Sequence, residues 1–205
     1  MKIRVRDIFV LLFSAAALVL CGMQFFSGVG AEETGSKITV AYMALNSLMI
    51  MLFAVMAILQ VFLYKRAQKL QTVLWCATAL VAGVYTFLVI VESAELIATF
   101  IPKELWNAPQ AVLFLVMYLL YLAQGITGVA LCAGKILHRT KNHRFLGGLM
   151  MFWVAASSVP TVITVFEYQI SNDLRAMVLS SVILPVVIQA LAVYGAFCNR
   201  IDETE

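Results

Sequence analysis

The chain has 205 residues, of which 63% are hydrophobic and 12% charged, with a formal net charge of +3. A soluble domain holds about 45–50% apolar and about 25% charged residues. The composition therefore excludes a disordered chain, a water-soluble enzyme domain and a free nucleic-acid binder, and it defines an all-α, polytopic membrane protein.

Crossing the hydrocarbon takes about 20 apolar residues in a helix that satisfies its own backbone. Six stretches meet this requirement: residues 8–26, 38–64, 73–100, 109–137, 145–166 and 176–198. They predict a bundle of six transmembrane helices, forming a single domain over residues 1–205. Only three of the 25 charged side chains, Glu92, Glu95 and Lys135, fall inside them. A water-soluble helical bundle would carry a charged face on each helix.

The first span follows the basic segment Met1–Asp7. Val29-Gly30-Ala31 fits the small-residue pattern of a signal-peptidase site. The apolar run of 19 residues exceeds a usual signal core of about 7–15, so this span is expected to be retained as a helix. The second span places Tyr42 and Asn46 one turn apart.

The third span carries Glu92 and Glu95, whose spacing of three puts both carboxylates on one face with Tyr85 and Leu88. At about 1.5 Å per residue, Glu92 lies about 12 Å and Glu95 about 7 Å inside the helix end. A carboxylate in the membrane costs at least a few kcal/mol unless it is neutral, paired or hydrated.

The fourth span aligns Gln110, Tyr118, Tyr121 and Gln124. It also holds Gly125, Gly128 and Gly134. The fifth span holds Gly147, Gly148, Ala155 and Ala156, and then Ser157, Thr161 and Thr164. Small residues let helices approach closely in lipid, which predicts tight pairing of the fourth and fifth spans. Pro160 and Pro185 each remove a backbone donor inside a span and invite a kink. The sixth span has Ser180, Ser181 and, near its middle, Gln189.

Charge sets an expected orientation. Ten of the 14 basic residues lie in the N-terminal segment, the second and fourth connections and the C-terminal end, and Lys135, at the adjoining end of the fourth span, makes eleven on that side. Basic connections stay cytoplasmic, so both termini are expected there, in a bacterial cytoplasmic membrane. The polar groups then converge in the outer half. Glu92, Glu95, Asn46, Tyr118, Tyr121, Gln124, Thr161 and Gln189 are the expected binding residues, lining a cavity that narrows near Gln124 and Gln189.

Other chemistry has little support. His138 and His143 share one inner connection, so no imidazole pair can hold a haem within the membrane. No cofactor and no metal set is expected. Lys135 sits at a span end and is expected to snorkel to the interface.

Three functions remain. The first is a small transporter or channel-like protein using the embedded carboxylates for a proton, a cation or a small polar solute. The second is a non-catalytic subunit or assembly factor of a larger membrane complex. The third is an enzyme acting on lipid, with the two acids as general acid and base. The expected partners are membrane lipid and a second membrane protein or a second copy of the chain; nucleic acid is not among them.

Overall fold

Long runs of Leu, Ala, Val, Met and Ile with few interruptions leave the backbone one solution in lipid, the α-helix. The structure is a computed structural model, and it describes residues 5–30, 37–63, 68–100, 109–137, 143–159, 162–163, 166 and 172–197. Six helices follow in order: α1 (Val5–Gly30), α2 (Lys37–Leu63), α3 (Gln68–Phe100), α4 (Pro109–Ile136), α5 (His143–Ala156) and α6 (Asn172–Phe197). Five of them, all but α5, are long and apolar enough to cross a membrane. The chain is an integral, multi-pass membrane protein. At 33 residues, α3 is about 50 Å long and exceeds the hydrocarbon thickness, which tilt or projection accommodates.

Every helix packs on its neighbour in sequence, and α6 packs on α1 to close a ring. Across the ring α6 also touches α2. This gives α2 three partners, α1, α3 and α6, as many as α6 itself has, and much of its length is buried. The outer faces stay apolar: Phe9, Leu12, Met23, Leu80, Phe87 and Leu184 are all more than half exposed. In water such faces would form an aggregation surface; in lipid they match their solvent.

Two aromatic clusters stand inside the bundle. Phe53 of α2, Trp75 of α3 and Phe197 of α6 meet with ring centroids 5.5–6.3 Å apart. Lys135 of α4 lies over two of these rings, its Nζ 5.9 Å from the Trp75 centroid and 6.0 Å from that of Phe197. The lysine thus has an aromatic seat as well as a place near a helix end. The second cluster is formed by tyrosines on α2, α3 and α4.

The fifth span departs from the sequence expectation of one helix over 145–166. Helix α5 stops at Ala156, a turn follows at Ser157 and Ser158, and helical structure resumes among the described residues at Val159, Val162, Ile163 and Phe166, with the Val162 amide donating to Ser158 O over 3.0 Å. The Ser157 and Ser158 hydroxyls donate to the Val154 and Ala155 carbonyls over 2.8 and 2.7 Å. The Ser158 amide donates to Ala155 O at 3.2 Å, a three-residue reach that tightens the turn. Pro160 lies just beyond and has no N–H to continue the ladder. Pro185, by contrast, lies inside an α6 that runs on to Phe197.

Glycine contacts also revise the expected pairing of the fourth and fifth spans. The two helices do touch, with Gly128 near Met150. The closest approach made by the α4 glycines is to α3, however. A methyl group on Gly125 would overlap Thr86 Oγ1 and lie 3.0 Å from the Tyr85 ring. Gly147 of α5 faces α6 instead, where a Cβ would lie 2.8 Å from that of Phe197. Small residues signal close approach without naming the partner.

Candidate functional site

Three helical stripes converge where α2, α3 and α4 meet. On α2, Tyr42, Asn46 and Met49 follow at spacings of four and three. On α3, Tyr85, Leu88, Val89 and Glu92 share a face, because seven residues return almost to the same azimuth. On α4, Tyr118, Tyr121, Gln124, Gly125 and Gly128 do the same. Gly125 removes the side chain that would otherwise hold α3 and α4 apart, so the three stripes face one another at short range.

Four of the chain's seven tyrosines gather there. The Tyr42 ring is central. Its centroid lies 6.3 Å from Tyr85, 6.5 Å from Tyr118 and 5.9 Å from Tyr121. Tyr118 and Tyr121 are 6.5 Å apart and mutually perpendicular. These are edge-to-face and tilted pairs, the arrangement the ring quadrupole favours. Tyr42, Tyr85 and Tyr118 are buried, and Tyr121 is half-buried. The Tyr42 and Tyr118 hydroxyls are hydrogen-bonded to each other.

Glu92 is half-buried. Its carboxylate is close enough to act electrostatically on the Tyr42 and Tyr118 hydroxyls. About one turn deeper, Gln124 Nε2 donates to Asn46 Oδ1 over 2.7 Å. Gln124 is 1% exposed, yet its Oε1 has no hydrogen-bond partner among the described residues. The Tyr85 hydroxyl, on a residue also 1% exposed, has none either. A buried polar atom without a partner costs about 1–3 kcal/mol, so two of them in one seam mark a place suited to water or a ligand.

Five of the eight residues expected to bind therefore come together: Asn46, Glu92, Tyr118, Tyr121 and Gln124. Glu95 lies one turn beyond Glu92 and is exposed. Thr161 lies outside the described residues. Gln189 is engaged at a different seam, where its Nε2 donates to Gln24 Oε1 of α1 over 2.9 Å and its side chain is hydrogen-bonded to the Cys21 thiol. Several hydroxyls are absorbed locally. Ser180 and Ser181 donate to the Met177 and Val178 carbonyls of their own helix, and Thr86 donates to Ala82 O.

Tyr42 and Tyr85 belong to the site as fully as the residues singled out for binding. The spacings Tyr42–Asn46 and Tyr85–Glu92 are the signal that identifies them. Among the described residues no three His, Cys, Asp or Glu side chains are grouped to hold a metal ion. A hollow of about 580 Å³ lies elsewhere, between α1 and α6, and is lined chiefly by Phe9, Val10, Phe13 and Leu191.

Comparison with protein-family models, with curated proteins and with solved structures finds no match. The class of the protein therefore comes from its own residues: a helical membrane bundle with a polar, tyrosine-rich seam beside an embedded carboxylate.

Proposed function

We propose that this chain is a small membrane transporter or channel-like protein whose proton, cation or small polar solute engages the α2–α3–α4 seam beside Glu92. One observation carries the reading. Beneath a carboxylate and four tyrosines, the buried Gln124 Oε1 and Tyr85 hydroxyl have no hydrogen-bond partner among the described residues. Single atoms of this kind also occur elsewhere among the described residues, at Ser14 Oγ, Gln71 Nε2 and Trp153 Nε1; what supports the reading is that two of them share one seam beside a carboxylate, where lipid offers no substitute for water.

The excess of basic residues on one side supports an orientation with both termini cytoplasmic. That orientation turns the Glu92 end of the seam to the outside of a bacterial cytoplasmic membrane. Lipid is the partner of the outer faces, and a second copy of the chain is the simplest further one.

The test is charge movement in proteoliposomes on a solid-supported membrane, with steps of pH, potassium, sodium and ethylammonium. The wild-type protein should give a current above that of empty liposomes for at least one of these. Glu92→Gln should abolish it while the variant still inserts and elutes as one species. No current from the wild-type protein, or an unchanged current from Glu92→Gln, overturns the reading.

A further inference from the structure

We infer that the α2–α3–α4 seam binds a small organic ammonium ion that keeps at least one N–H, with its charge against the Tyr42, Tyr118 and Tyr121 rings and the Glu92 carboxylate and its N–H donated to Gln124 Oε1. This names the solute class of the site proposed above and rests on that reading.

The rings come first in the argument. A cation is attracted to the face of an aromatic ring, and the attraction grows when water is excluded. The planes of Tyr42, Tyr118 and Tyr121 cross at 49°, 66° and 90°. Rings set at such angles cannot form a parallel stack, and their three centroids form a near-equilateral triangle 5.9–6.5 Å on a side. Glu92 adds a carboxyl group that acts electrostatically on two of their hydroxyls.

The bundle already contains this chemistry. At its other end the Lys135 ammonium lies about 6 Å from two aromatic centroids. The fold thus holds an alkylammonium among rings within a membrane-spanning helix. The tyrosine seam offers a comparable ring environment with a carboxylate beside it.

The amide narrows the class further. Gln124 spends its N–H on Asn46, which leaves an acceptor that calls for a donor. A primary, secondary or tertiary ammonium supplies an N–H; a quaternary one does not. A hard divalent cation needs six or more oxygen ligands, mostly carboxylates, carbonyls and waters. Among the described residues the seam contributes one carboxylate and no group of metal-binding side chains.

The experiment is calorimetric titration of the purified protein in lipid nanodiscs with benzylammonium and with benzyltrimethylammonium, against empty nanodiscs. Benzylammonium should bind saturably, at least about fivefold tighter than the quaternary analogue. Glu92→Gln should weaken it about tenfold or more, and Tyr118→Leu about fivefold. Lys135→Met, in the other aromatic cluster, should stay within about twofold of wild type, which separates loss of the site from loss of the fold. Absence of saturable binding, equal affinity for the two amines, or unchanged affinity in Glu92→Gln overturns the inference. Amine binding without any current would overturn the transport reading and leave the ligand class standing. A Glu92-dependent current of another ion without amine binding would do the reverse.

Discussion

Two aromatic clusters lie along α2, about 16 Å apart by helical rise from Tyr42 to Phe53, and they are built for different ends. The Phe53–Trp75–Phe197 cluster is hydrocarbon-rich, and its cation is the chain's own Lys135. The Tyr42–Tyr85–Tyr118–Tyr121 cluster carries a hydroxyl on every ring, a carboxylate beside it and an amide pair beneath it. The first ties α2, α3, α4 and α6 together. The second contains buried polar atoms that α2, α3 and α4 leave without partners. That contrast between a filled hydrocarbon cluster and a polar one is what the proposed solute site rests on.

Breaking the first cluster should have the largest effect on stability. Phe53 is fully buried against Trp75 and Phe197. Phe53→Ala should destabilise the fold by about 3–5 kcal/mol, read as a lower unfolding midpoint in detergent, while the surviving folded protein keeps the tyrosine seam. Next in size is Gly125→Val, which drives a branched side chain into Thr86 and Tyr85. It should cost about 1–3 kcal/mol and also disrupt the seam, which a change in near-ultraviolet tyrosine circular dichroism would register. An unaffected spectrum would mean that close approach of α3 and α4 is not what sets the cluster.

Smaller changes sharpen the same contrast. Asn46→Leu removes the acceptor for Gln124 and should cost about 0.6–1.7 kcal/mol, the range for side-chain hydrogen bonds between membrane helices. It should alter any solute current as well, because the floor of the seam is changed. Lys135→Met should cost about 0.5–2 kcal/mol through loss of the ring contact and leave the current as it was. A current lost in Lys135→Met but kept in Asn46→Leu would reverse the roles assigned to the two ends.

Much of this was legible in the residues, and the reasons are physical. A helix in lipid announces itself by length and apolarity, so the helix positions follow from composition. The stripe Tyr118–Tyr121–Gln124 and the pair Tyr42–Asn46 follow from helical periodicity, which tells which side chains share a face. Periodicity does not tell which helix that face meets. Gln189 therefore looked like part of the same narrowing as Gln124, whereas it bonds to Gln24 of α1. Gly147 likewise promised contact with α4 and meets Phe197 of α6. The end of α5 was half visible: Pro160 marked the interruption, but the serine hydroxyls that take up the Val154 and Ala155 carbonyls depend on local geometry.

The central claim is that Glu92 gives the tyrosine seam a negative character that a solute from one face of the membrane can feel. It is tested most directly by placing one thiol at Asn46 (Asn46→Cys) with Cys21, Cys76, Cys132 and Cys198 replaced by Ala. The rates of modification by a cationic and an anionic methanethiosulfonate reagent of equal size are then compared. The cationic reagent should react severalfold faster, and adding Glu92→Gln should bring the two rates together. A thiol that neither reagent reaches, or one modified at equal rates with Glu92 intact, would contradict the account.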